Sequence, residues 1–200
     1  TSIVGAVKEG RVIYKNIIKA ITYVLAIHIP IAGLALIPIF FGWPMILMPV
    51  HIVFLELITD PACSIAFQAE PAEGDVMSQP PRRLQQPLFD KWAVFFSVLQ
   101  GVGILAVVLL VYILSIKNGF SVNIARGSAF ITLITANISL ILTNRTLSQT
   151  IFTSWRSRNP VILPMIMSVL AGLLVIFYIP WLSDIFKFGR PDVGGVTSAV

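Results

Sequence analysis

The stretch WAVFFSVLQGVGILAVVLLVYIL, residues 92–114, runs for a bilayer's width without a charged side chain. A helix needs about 20 apolar residues to cross the hydrocarbon core, and the sequence offers this length repeatedly. Apolar periodicity and breakers mark five candidate spans at 17–41, 45–67, 93–116, 128–144 and 161–182. Lipid provides no partner for an unpaired backbone amide, so every span is expected to be helical. The fold class is therefore all-α: a polytopic transmembrane helical bundle of about five spans. Composition agrees, with 56% hydrophobic residues, 12% charged and a mean hydropathy of +0.89. No signal-peptide pattern precedes the spans.

The net charge of +5 does not imply a nucleic-acid partner, because the 14 basic residues are dispersed between apolar runs and suit topology determinants better. With a cytoplasmic N-terminus, ten of them (Lys8, Arg11, Lys15, Lys19, Arg82, Arg83, Lys91, Arg145, Arg156 and Arg158) lie inside. Only Lys117, Arg126, Lys187 and Arg190 lie outside, which predicts an N-in, C-out chain. All four tryptophans, Trp43, Trp92, Trp155 and Trp181, fall near span ends, as an interfacial aromatic belt requires. The one cysteine, Cys63, excludes a disulfide framework within the chain and reads as a small packing residue.

Gly42, Trp43 and Pro44 connect the first two spans as an antiparallel hairpin. A Pro-rich, charged linker, AEPAEGDVMSQPPRRLQQP, separates that hairpin from the other three spans. The expected organisation is a stalk and ion-site hairpin over 1–67, a cytoplasmic linker over 68–92, and a three-helix supporting region with a truncated tail over 93–200. An odd span count and the polar tail GRPDVGGVTSAV suggest a fragment of a longer membrane protein.

Chemistry concentrates in VFLELITDPACSIAF, residues 53–67. Glu56 and Asp60 lie four residues apart, about 40° apart around a helix and about 6 Å along it, with Thr59 between them. A carboxylate at mid-membrane costs several kcal/mol unless it is paired or hydrated, so such groups face a bundle interior or an ion path. Two acids with no intramembrane Lys or Arg call for a cation, and oxygen ligands suit hard ions such as calcium, magnesium, sodium, potassium or a proton.

Pro61 removes the hydrogen bond to the Leu57 carbonyl and disfavours helical geometry at Asp60; Pro30 does the same for the Ala26 carbonyl, with His28 in that turn. Broken helices with freed carbonyls and acids at mid-depth are a common transporter ion site. His28 reads equally as a packed neutral imidazole and as a ligand or proton carrier. His51 reads as interfacial. Asn137 in the fourth span could offer a neutral oxygen to a cation or bond a neighbouring helix, and Gln100 beside Gly101 and Gly103 indicates close helix packing with one interhelical hydrogen bond. The fifth span, without internal charge, reads as scaffold.

EGRVIYKNIIKAITYVLAIHIP, the hairpin, and LITDPACSIAFQAEPAEGDVM followed by PPR resemble the C-terminal membrane domain of P-type cation-transporting ATPases, nearest the calcium-pump-like bacterial members. The resemblance covers essentially the whole chain and is most specific over 9–83. It implies that the spans are transmembrane helices five to nine of such a pump. Thr59 and Asp60 match the Thr-Asp pair of the family's sixth helix, whose Asp is a central cation ligand. Glu56 stands where animal calcium pumps commonly carry Asn, His28 at the fifth-helix Asn, Ile31 in place of a ligating Glu, and Asn137 at the eighth-helix acid.

The ligand set so implied is Glu56, Thr59, Asp60, the Leu57 and Ala26 carbonyls, His28 and Asn137. Calcium, another hard cation or a proton is the transported species. Magnesium and ATP would bind only in cytoplasmic domains outside this chain, which carries no DKTGT motif. The implied partners are the lipid bilayer, an inorganic cation and the N-terminal portion of the same pump, in a bacterial inner membrane. Without the resemblance, a gradient-driven secondary cation transporter or channel subunit, and a structural membrane subunit, stay open.

Overall fold

The structure, a computed structural model, describes residues 3–72, 76–78, 80, 91–145 and 159–189; the side chains at 58–60 and 62 lie outside that description. Among the described residues the chain is helical throughout its ordered elements. These are α1 (Ile3–Phe41), α2 (Pro49–Phe54), a π-helical turn (Leu55–Thr59), α3 (Asp60–Gln68), α4 (Lys91–Lys117), α5 (Val122–Asn144), α6 (Ile162–Tyr178) and α7 (Pro180–Ile185). Of these, α1, α4 and α5 are each long and apolar enough to cross a membrane, and α6 is a shorter apolar helix.

The expected second span is continuous in direction but not in helix type, since α2, the π turn and α3 follow one another without a break. Its start also falls later than expected. Gly42 takes φ 65° and the Trp43 amide donates to the Pro38 carbonyl (2.8 Å), the 6→1 bond of a Schellman cap. The connecting segment then runs to Met48, and Pro49 opens α2 from the first-turn position where its lack of an N–H does no harm. The expected stalk and first span form a single 39-residue helix. Pro30 and Pro38 sit inside α1 without ending it.

Helix α4 lies beside α1 and runs in the same direction, with Gly101 against Ala26 and Ile29, and Leu105 against Gly33. It also packs on α5. A Cβ at Gly101 would fall 2.5 Å from the Ala26 carbonyl oxygen and 2.8 Å from Ile29, so only glycine permits this approach; Gly103 faces open space. Gln100 accepts a hydrogen bond from Asn144 of α5 (3.3 Å). The expected close packing with one interhelical bond is present, and Gly101 alone of the two glycines accounts for it.

His51, expected as an interfacial residue, is enclosed by the protein. It is fully buried in a cluster of Phe130, Phe186 and Phe188, with ring centroids 4.8 to 5.6 Å away. Nδ1 accepts from the Met48 amide (3.1 Å), leaving Nε2–H to donate to the Phe186 carbonyl (2.7 Å), so both nitrogens of a neutral imidazole are satisfied. The segment after α7 makes this burial possible by folding back, with Lys187 at φ 51° and the Ser183 hydroxyl donating to the Phe188 carbonyl. Arg126, expected among the outer loop charges, is also buried. Its guanidinium donates to the carbonyls of Met45 and Lys187 and to Asn123 Oδ1, tying α5 to both neighbouring loops.

Candidate functional site

Pro61 shapes the middle of the second span. Because it cannot donate to the turn before it, the backbone widens, and the π turn covers Leu55–Thr59 directly ahead of the helix that begins at Asp60. The distortion therefore sits one turn before Asp60 and carries Glu56, Leu57 and Thr59. Single π turns inside helices are frequent at functional sites.

On the facing helix, His28 Nδ1 lies 2.8 Å from the Val24 carbonyl. A carbonyl only accepts, so Nδ1 carries the proton in that bond. Nε2 lies 3.6 Å from Glu56 Oε1. An imidazole nitrogen and a carboxylate at that separation, between α1 and the π turn, can share a cation, whether a proton or a metal ion. Both side chains are about half exposed, at 47% and 48%, so the point between them is open on one side of this chain. Leu57 next to Glu56 exposes its side chain.

The other expected ligands are distributed less simply. Ala26 is fully buried and its carbonyl lies against Gly101 of α4. Asn137 is fully buried in α5, and neither its amide nitrogen nor its amide oxygen has a hydrogen-bond partner among the described residues. An orphaned buried amide is costly, and it marks a place where a further polar group belongs. The backbone at Thr59 and Asp60 is placed, at the end of the π turn and the start of α3, while their side chains lie outside the described ones. Among the described residues no three His, Cys, Asp or Glu side chains form a metal cluster.

Sequence reasoning missed a second polar centre at the other end of α3. The carboxylate of Glu70 takes both Nε (3.0 Å) and Nη2 (3.2 Å) of Arg145, a two-point ion pair with both residues buried. Asn159 Nδ2 donates to Glu70 Oε2 (2.7 Å) and to the Ala66 carbonyl (2.8 Å), while Asn16 Nδ2 of α1 donates to the Glu70 carbonyl (2.9 Å). Arg11 donates to the Val76 carbonyl (2.9 Å). One signal was available: Glu70 and Arg145 are the charges standing directly at two expected span ends on the same side of the membrane.

Three helices long and apolar enough to cross a membrane, beside an acid-bearing span distorted by a π turn, define an integral, multi-pass membrane protein. Comparison with known proteins narrows this. The family described as "Cation transporting ATPase, C-terminus" matches residues 44–199. The chain belongs to that family, the C-terminal domain of P-type cation-transporting ATPases. It is 30% identical over 189 residues to a calcium-transporting ATPase of Bacillus subtilis, covering 92% of this chain and 21% of that protein. It is 36% identical over 117 residues to calcium-transporting ATPase 1 of Bacillus cereus, covering 58% and 13%. A probable cation-transporting ATPase F of Mycobacterium bovis is 24% identical over 193 residues, covering 96% and 21%. The chain thus spans about a fifth of the length of such relatives.

Proposed function

We propose that these residues form the ion-carrying part of an ATP-driven cation pump and that calcium is the transported ion. The observation that carries this reading is the pair His28 Nε2 and Glu56 Oε1, 3.6 Å apart beside a π turn that runs straight into Asp60. Calcium takes six to eight oxygen ligands in flexible geometry. Glu56, the Thr59 hydroxyl, Asp60, the Leu57 carbonyl and the Asn137 amide oxygen would supply oxygens, and His28 would hold Glu56 in place or carry the proton that replaces the ion; the Ala26 carbonyl, expected as a further ligand, is instead packed against Gly101 of α4. The names of the two Bacillus relatives support calcium over other hard cations.

In this reading residues 1–67 are the stalk and ion-site hairpin, 68–92 a cytoplasmic linker, and 93–200 the supporting helices. Asn137 makes the supporting region a contributor of ligand as well. A half-exposed carboxylate at mid-membrane is unstable against lipid, so the open side of the His28–Glu56 pair would be covered by helices from the N-terminal portion of the same polypeptide. ATP and magnesium would bind in cytoplasmic domains upstream, and phosphorylation there would tilt α1, the rod continuous with the first span. The location would be a bacterial inner membrane, given the bacterial relatives.

The test is phosphoenzyme formation from ATP by the full-length polypeptide, with and without calcium. Calcium-dependent phosphoenzyme that falls by more than tenfold in Asp60→Asn is expected. The reading is wrong if Asp60→Asn retains the wild-type calcium response.

A further inference from the structure

The geometry points to the Glu70–Arg145–Asn159 cluster as a register clamp that fixes the depth at which α3 and α5 present their ligands to the cation. The inference rests on the cation site proposed above. Glu70 follows Asp60 by ten residues and Arg145 follows Asn137 by eight, so at 1.5 Å per helical residue the two ligand positions stand about 15 Å and about 12 Å from the clamp. They are measured from one shared point.

A two-point Arg–carboxylate pair fixes orientation as well as distance, and this one is supported from three sides. Asn159, ahead of α6, holds a carboxylate oxygen and the Ala66 carbonyl; Asn16 holds the Glu70 carbonyl from α1; and Asn144, next to Arg145, reaches Gln100 of α4. Elements α1, α3, α4, α5 and the segment leading into α6 meet at this centre. A slip of α3 against α5 by one residue would move Asp60 by about 1.5 Å and turn it by about 100°. Calcium–oxygen distances of about 2.3 to 2.6 Å leave no room for that. Buried ion pairs are weak sources of net stability, and their best-attested use is in setting register. Glu70 and Arg145 are positioning residues in this sense and need not touch the ion.

The experiment measures phosphoenzyme formation by the full-length polypeptide against buffered free calcium, in wild type, Glu70→Gln, Arg145→Lys and Asn137→Ala. Glu70→Gln keeps the shape and gives up the charge, and Arg145→Lys keeps the charge and gives up the fork. The clamp predicts a rise of about tenfold in half-saturating calcium in either variant, with the maximal phosphoenzyme per folded protein unchanged. It further predicts that in the Asn137→Ala background the rise shrinks to threefold or less, because the ligand being positioned is gone. A merely structural pair would lower the yield of folded protein and leave half-saturation in place. If one variant does not fold, the other is read alone. Half-saturation within twofold of wild type in the folded variants overturns the clamp, as does a full rise in the Asn137→Ala background. Loss of the calcium response in Asp60→Asn alongside an unmoved Glu70→Gln separates the failure of the clamp from that of the cation site.

Discussion

The two histidines occupy opposite situations, and the difference predicts opposite phenotypes. His28 is half exposed and spends one nitrogen on the Val24 carbonyl and the other facing Glu56. His51 is fully buried, with both nitrogens bonded and phenylalanine rings around it. His51→Ala would leave a cavity and two unpaired backbone groups, a loss of about 2 to 5 kcal/mol and several degrees in thermal midpoint. Its half-saturating calcium should be unchanged. His28→Ala should do the reverse, raising half-saturating calcium several-fold with little effect on the midpoint. Thermal scans and calcium titrations of the purified full-length variants check both. Glu56, Thr59 and Asp60 stand out in sequence because acids in an apolar run beside proline contradict everything around them. His51 was not, since its burial depends on Phe186 and Phe188, 135 and more residues later, folding back over it.

At the level of elements, proline and glycine decide where helices bend and how closely they approach. The sequence located the break at Pro61, with a freed carbonyl at Leu57 and non-helical geometry at Asp60. The backbone instead absorbs the lost hydrogen bond as a π turn over the preceding five residues. Pro30 has less effect than its chemistry suggests, because α1 continues through it with α4 packed alongside. The glycine pair in α4 gives a sharp contrast. Gly101→Ala would drive a methyl into the Ala26 carbonyl and Ile29, an overpacking loss of about 1 to 3 kcal/mol. Gly103→Ala, facing open space, should be neutral or stabilising by up to about 1 kcal/mol. Denaturant midpoints of the two variants, compared side by side, should separate clearly. The positions of Glu70 and Arg145 at span ends were visible in sequence but their pairing was not, because the partners lie 75 residues apart and nothing local to either shows which charge it meets.

For the whole molecule, the dispersed basic residues predict an N-in orientation. The Asn118–Phe120 turn between α4 and α5 lies on the outer side and Val76–Ser78 on the inner side in an N-in chain. A cysteine at Asn118 in a cysteine-free full-length protein should react with a membrane-impermeant thiol reagent in intact cells, and one at Ser78 only in inside-out vesicles. Trp92 and Trp181 are well exposed and Trp43 partly so, consistent with an interfacial belt; Trp155 lies outside the described residues. The all-helical class was readable from apolar run length, because the bilayer imposes that length on any sequence. Depth and register of the ligands were not, because they depend on contacts between helices distant in the chain. The central claim is that Glu56 and Asp60 hold the transported ion, and ATP-driven uptake of radioactive calcium into inside-out vesicles carrying the full-length polypeptide tests it most directly. The account predicts uptake in wild type, at least tenfold less in Asp60→Asn and a clear reduction in Glu56→Gln. Uptake undiminished in both variants would contradict it.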